Sequence, residues 1–367
     1  MNTKKHSLLL LILALVLCLT AIPVAAEDGA PTATFTLNGS TTYATLPITD
    51  GSVTLLKTPN TLSGFCGWQA EIDGKTVFLP AGATCTGLTG DVTFKAVTAS
   101  FVTDTGCSVR LRENQVGLRF TSTLVTADFE KIVALAGGRD KVSFGTYIVP
   151  SRYVTDAQGA FTLEALAQAG RTMYIDVKAG AFYKTTETTS TLAGSVSGIL
   201  KGNYTMEYTG RGYMKITYTD GSVGTVYADY NQTNNSRNIL TTVLDAYNDR
   251  DESYGNLIVE KIGSTHSPYT NTEIAMMRSF LDKVILVGHD MQYNYFVLPT
   301  EYYESPWKIT FSSDSFDVRT IFAEPPEGMT AEDAMGVYLD GLVIPLSKTS
   351  IQNGKLVFKR DSYIQIQ

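Results

Sequence analysis

Outside its first 26 residues the chain holds two histidines, His266 and His289. Any Ser-His-Asp or Cys-His nucleophilic site has to be built on one of them. His289-Asp290 follows the apolar run Val284–Val287, and strand ends are places where catalytic groups sit. The same pattern describes a surface loop, which is the plainer reading. Gly194-Ser195-Val196-Ser197-Gly198 has the outer glycines of a nucleophile elbow, but Val196 stands where the nucleophile must be. The sequence has no Gly-x-Gly-x-x-Gly, no complete phosphate-cradling P-loop and no His-Glu-x-x-His. No cofactor and no catalytic metal are therefore expected. Glycoside hydrolysis needs only two carboxylates about 5–9 Å apart. With 36 acidic residues a chance pair is certain, so the carboxylates alone do not argue for a hydrolase.

Cys66, Cys85 and Cys107 are an odd set that matches no zinc spacing. At most one intrachain disulfide can form among them, and Cys66–Cys85 is the pair to examine. Buried small apolar side chains are the simpler expectation. Arg110, Arg112 and Arg119 fall on two consecutive strand-like segments, Cys107–Leu111 and Val116–Leu124. Arg110 and Arg112 share a face at period two. Their guanidinium forks suit an anion or a uronic acid; structural pairing with Glu113, Asp128 or Glu130 is the alternative. Tyrosine outnumbers phenylalanine, 20 to 16. The densest aromatic stretch, Tyr293, Tyr295, Tyr302, Tyr303 and Trp307, supplies the candidate ligand-binding residues. Such rings stack on sugar faces while their polar tips hydrogen-bond, and they also serve protein interfaces or ordinary sheet packing.

The elements that must position these groups begin with a leader. Lys4-Lys5, the apolar run Leu8–Leu19 and Val24-Ala25-Ala26 have the order of a secretory signal peptide cut after Ala26. The expected location is secreted, extracellular or at the cell surface. No later apolar run approaches the ~18 residues of a membrane span, so no transmembrane segment is expected in the mature chain. The formal charge of −7 argues against a nucleic-acid partner.

Asn38-Gly39, Asp50-Gly51, Asp73-Gly74, Asp220-Gly221, Asp340-Gly341 and Asn353-Gly354 each supply the positive φ of a tight hairpin. Thr, Val, Ile and Tyr are plentiful around them. The pattern predicts a mainly β chain with a few short helices. One helix opens at Thr126, with Phe129, Ile132, Val133 and Ala136 on one face and Gly137-Gly138 as its stop. A second opens at Thr162 and ends at Gly170. A third opens at Asn234 or Asn235, carrying Ile239, Leu240, Val243 and Leu244. A fourth opens at Asn271 or Thr272. Boundaries near residues 98–105 and 248–255 divide the chain into a leader (1–26), an N-terminal module (27–98), a β-rich domain with peripheral helices (99–250) and a C-terminal β-rich domain (251–367).

Residues 33–98 resemble the Listeria–Bacteroides repeat. The likeness rests on Thr34–Gly39 as first strand and turn, on Gly64-Phe65-Cys66-Gly67-Trp68, and on Thr89–Val97 at the close. It implies a β-grasp-like surface module with Trp68 plugging a small core, and with Gly67 letting the backbone pass close to that ring. Residues 106–247 are similar to a domain found in exported proteins of anaerobic Gram-positive bacteria. That likeness is carried by Val116–Ser122, Val142–Pro150, Gly210-Arg211-Gly212-Tyr213 and Asp229-Tyr230 leading to Ser236-Arg237. The expected architecture is a β-grasp-like module followed by β-sandwich-like domains. The expected function is a non-catalytic interaction or adhesion module with a protein or glycan partner at a surface. A carbohydrate-binding protein is the first alternative and a glycoside hydrolase the second.

Overall fold

A computed structural model describes residues 29–37, 39–57, 62–112, 115–248, 272, 275, 279–280, 282–287, 306–311, 320–339 and 342–359. The fold is mainly β, built from several sheets with a few short helices. The chain forms two compact units, and each draws on more than one segment of the sequence.

The first unit contains β1 (Thr32–Leu37), β2 (Thr41–Pro47), β3 (Ser52–Thr54), β4 (Phe65–Ile72), β5 (Lys75–Leu79), β6 (Thr84–Thr86) and β7 (Val92–Thr98). Its sheet runs β2-β1-β7-β4-β5, and β3 pairs separately with β6. β1 and β7 are parallel, with Phe35 opposite Phe94. The β4–β5 hairpin turns at Asp73-Gly74, both at positive φ, as the dipeptide demands. Phe35, Trp68, Leu79, Leu88 and Phe94 fill the core. Trp68 meets Phe35 edge-on at 5.0 Å and donates its Nε1–H to the Leu56 carbonyl at 2.8 Å.

This unit also takes in Val125–Val142 and Lys215–Val226. The former carries α1 (Thr126–Ala136), with Phe129, Ile132 and Ala136 buried and Gly137 in the left-handed conformation at its end. The N-cap is Val125 rather than Thr126. No side chain caps the helix, and Asp128 instead accepts the Ser100 N–H at 2.8 Å. Within β4 the pairing to β7 shifts between Phe65 and Gly67, leaving Cys66 as the extra residue of a bulge. The Tyr218 hydroxyl donates to the Cys66 carbonyl at 2.5 Å, supplying a partner at that irregularity. Gly67 permits a close approach by other strands of this unit. A Cβ there would lie 2.6 Å from the Phe78 ring and 2.8 Å from the Leu79 carbonyl.

The second unit is a sandwich. One sheet contains β8 (Phe101–Thr103), β9 (Ser108–Arg112), β10 (Gln115–Val125), β13 (Lys184–Thr185) and β14 (Thr189–Val196), in the order β13-β14-β10-β8 with β9 also on β10. The other contains β11 (Val142–Pro150), β12 (Ile175–Ala179), β15 (Tyr208–Thr217) and β17 (Ser236–Arg237), in the order β12-β11-β15 with β17 on β15; β16 (Val223–Tyr227) falls almost wholly in the Lys215–Val226 segment of the first unit. The glycines of Gly210-Arg211-Gly212-Tyr213 explain how β15 lies close to β10. A Cβ at Gly210 would sit 2.3 Å from the Phe120 ring, and one at Gly212 would sit 2.5 Å from Ser122 Oγ. Arg211, between the two glycines, and Tyr213, just after them, alternate to the opposite face.

Short helices flank these sheets. α2 (Ser151–Asp156) follows Pro150. α3 (Leu163–Gln168) starts as expected at Thr162, whose side chain accepts the Ala165 N–H at 3.2 Å. α4 (Ile239–Asn248) starts later than expected. Gln232–Asn235 is a single helical turn, and Asn238 caps α4 by accepting the Thr241 N–H at 2.8 Å. Several nearby asparagines could serve as the cap, and the strand pairing of β17 with β15 selects Asn238.

The C-terminal strands β18 (Val284–Val287), β19 (Lys308–Phe311), β20 (Thr320–Glu324), β21 (Gly336–Leu339), β22 (Leu342–Ile344), β23 (Ser350–Gln352) and β24 (Lys355–Lys359) form two sheets, β18-β21-β22 and β19-β20-β24-β23. Asn353-Gly354 turns the last hairpin at positive φ. Phe280, Val284 and Val343 share one core with Leu118, Phe120, Ile239, Leu240 and Val243. These strands therefore belong to the same compact unit as the sandwich.

Candidate functional site

Tyr293, Tyr295, Tyr302, Tyr303, His266 and His289 lie outside the described residues. Trp307 is described and does not form a stacking platform. It is 3% exposed, packed with Ile285, Ile321 and Phe358, and donates its Nε1–H to the Asp282 carbonyl at 3.1 Å. With its ring covered, it contributes burial rather than a ligand face.

The described cysteines are free thiols. Burial, helped by the nearby charge of Asp128, pushes the Cys66 thiol up to about 12. It is protonated at neutral pH and so is not a nucleophile there. Among the described residues no group of three His, Cys, Asp or Glu could hold a metal ion, and no helix is long and apolar enough to cross a membrane. A shallow cavity of about 570 Å³ runs along α1 from Phe129 to Arg139.

The tyrosines that the structure brings together lie on the β11–β15 side of the second unit. Tyr147 and Tyr213 stack at 4.1 Å, and the Tyr213 hydroxyl donates to Asp176 at 2.5 Å. Tyr227 accepts the Leu163 N–H and reaches Glu164. Arg211 lies over the Tyr227 and Tyr230 rings, 5.1 and 4.6 Å from their centroids, and donates to the carbonyls of Ala228 and Phe161. Burial pushes the Tyr147 and Tyr227 hydroxyls up to about 12, and Tyr213 is raised too, by burial and by Asp176. These groups stay protonated at neutral pH. The motifs Gly210–Tyr213 and Asp229-Tyr230 thus build a packed aromatic network.

A different arrangement occurs on the outer face of the β13-β14-β10 sheet. Strict alternation puts Val116, Leu118, Phe120, Ser122 and Leu124 inward along β10, and Ser190, Leu192, Gly194 and Val196 inward along β14. The outward positions are Arg119, Thr121 and Thr123 on β10, and Thr189, Thr191, Ala193 and Ser195 on β14, all half-buried. Thr123 and Thr191 hydroxyls meet at 3.2 Å, and Thr123 donates to Asp104 at 3.1 Å. At one end Arg110 pairs with Gly117, where a Cβ would lie 2.2 Å from the Val196 carbonyl. This close approach accompanies a 3.4 Å hydrogen bond from Arg110 Nη1 to Ser195 Oγ.

Beside this flat, small-residue surface stands Tyr183, 56% exposed. Arg119 lies over its ring, with Cζ 5.2 Å from the centroid and Nη1 donating to the tyrosine hydroxyl at 3.2 Å. Tyr183 is 64 residues from Arg119 in sequence, and no local motif linked them. Among the described residues Arg119 forms no ion pair. The outer face therefore offers a guanidinium, an exposed tyrosine and hydroxyls on one side of the sheet. That set can hold a polar ligand.

No family model matches the chain, and no curated protein matches it.

Proposed function

We propose that this is an exported, non-catalytic binding protein that acts at a cell surface or outside the cell as an interaction or adhesion module, through the outer face of the β13-β14-β10 sheet. The observation that carries this reading is Tyr183, an aromatic ring left open to solvent beneath a guanidinium, on a surface otherwise made of small polar side chains. Exposed rings and arginines are the groups that dominate binding at interfaces. The leader reading from Lys4 to Ala26 supports export. The test has two parts. Expression with the native leader followed by N-terminal sequencing of the released product should give a chain beginning near Glu27. Binding of the purified protein to intact bacterial and epithelial surfaces should fall when Tyr183 is changed to Ala. Retention of the uncut leader in the cytoplasm would refute the export reading, and undiminished binding by Tyr183→Ala would refute the assigned face.

Carbohydrate binding is the second reading, favoured by the same ring. An open tyrosine face suits the apolar face of a pyranose, and the neighbouring hydroxyls and guanidinium suit its polar rim.

A further inference from the structure

We propose that the ligand of this face is a carboxylate-bearing saccharide, a uronic-acid unit held by Arg119 and stacked against Tyr183. The inference rests on the binding-face reading above and narrows it to one ligand chemistry. Arg119 uses Nη1 on the Tyr183 hydroxyl. Among the described residues its remaining N–H groups have no partner, and these form the fork that matches a carboxylate. The guanidinium covers one side of the Tyr183 ring at 5.2 Å, while the residue as a whole is 56% exposed. A sugar ring resting on the open part of the tyrosine would carry its carboxylate within reach of that fork.

The adjoining surface is shaped for a flat ring. Thr191, Ala193 and Ser195 are short side chains at alternate positions along β14. Ser195 Oγ, already held by Arg110, adds a hydroxyl of fixed position for a ring oxygen or hydroxyl. Charge points the same way. Arg119 and Arg110 place two guanidiniums on this face, against the Asp104 carboxylate held by Thr123, so an anionic ligand is attracted at the Arg119 end despite the chain's net charge of −7. An acidic peptide could use the same guanidinium, but it would make poor use of the flat hydroxyl strip and the open ring.

The test is calorimetric titration of the whole chain with galacturonate oligomers and unsulfated hyaluronan. The same galacturonate oligomers as methyl esters, neutral galactose oligomers and an aspartate-rich peptide complete the panel. The expected result is binding to at least one uronate, with affinity reduced by about tenfold to a hundredfold on esterification or in Arg119→Gln, the range for a hydrogen bond to a charged group. Arg119→Lys should recover little, because a point charge lacks the fork. Tyr183→Ala should weaken binding to a uronate and Tyr183→Phe should keep most of it. Added salt should weaken the uronate complex. Both side chains are partly exposed, so circular dichroism of each variant should match the parent.

Equal binding of ester and acid, or an Arg119→Gln variant that binds a uronate as well as the parent, overturns the proposal. Binding confined to the peptide or the neutral oligomers, and lost in Tyr183→Ala, also overturns it while leaving the binding face in place. Absence of binding across the whole panel at millimolar concentration, together with unchanged cell-surface binding by Tyr183→Ala, refutes both.

Discussion

Changing Gly67 to Ala tests the account of the first unit most directly, because two separate costs meet at one atom. Gly67 has φ of +153°, a conformation that L side chains rarely adopt. Holding a non-glycine residue in such a region costs about 1–3 kcal/mol. The added methyl would also lie 2.6 Å from the Phe78 ring, 2.8 Å from the Leu79 carbonyl and 3.0 Å from the Tyr218 ring. The Phe78 ring could swing aside, but the carbonyl belongs to β5 and moves only if that strand moves. Overpacking of this kind costs about 1–3 kcal/mol. The combined loss is roughly 2–6 kcal/mol, a large share of the ~5–15 kcal/mol that stabilises a typical domain.

Two other glycines separate the terms. Gly74 has φ of +72° and nothing near its missing Cβ, so Gly74→Ala should lose about 1–2 kcal/mol from backbone strain alone. Gly90 has neither constraint, and Gly90→Ala should stay within about 0.5 kcal/mol of the parent. Urea unfolding followed by tryptophan fluorescence and circular dichroism measures all three, since Trp68 sits in the core of this unit. If Gly67→Ala loses no more than Gly74→Ala, the steric argument is wrong and the bulge has room to spare.

Removing the Tyr218 hydroxyl as Tyr218→Phe strips the Cys66 carbonyl of its 2.5 Å donor. A loss of about 1–3 kcal/mol in urea unfolding is expected for a buried acceptor left unsatisfied; no change would mean that water replaces the phenol. Thr162→Ala should destabilise the second unit by about 0.5–2 kcal/mol through loss of the α3 cap, measured by the same unfolding. Glu207 is held above the ordinary glutamate value of 4.5 by burial, only partly offset by Arg237. The folded state therefore binds this proton more tightly than the unfolded state, and Glu207 erodes stability as pH rises from about 4.5 through its raised value. Glu207→Gln should accordingly be more stable than the parent at pH 7, with the difference vanishing below pH 4 in parallel melts. A larger difference at pH 4 than at pH 7 would reverse the assigned sign.

Much of the local structure was legible in the residues. Asp73-Gly74 and Asn353-Gly354 turn where their φ preferences place them. The helix begun at Thr126 buries Phe129 and Ile132 and stops at Gly137 as its periodicity and glycine pair imply. Thr162 caps α3. Each of these depends on groups three or four residues apart, and the information sits in the same short stretch. The start of α4 was ambiguous for the same local reason. Asn234, Asn235 and Asn238 can all cap, and only pairing of Ser236-Arg237 with β15 decides among them.

What the linear order could not yield is which distant groups meet. Trp307 looked like a platform in an aromatic run and is instead wrapped by Ile285, Ile321 and Phe358. Arg119 finds Tyr183 across 64 residues, and Cys66 finds Tyr218 across 152. The amino-acid sequence by itself determined the strand-rich character, the turns and the main helix faces, because these follow from backbone preference and local periodicity. Sheet order, the three-segment make-up of the first unit, the burial of Trp307 and the Arg119–Tyr183 pair were decided only in three dimensions. Burial and contact depend on what packs over a side chain, and that neighbour is chosen by how whole sheets stack.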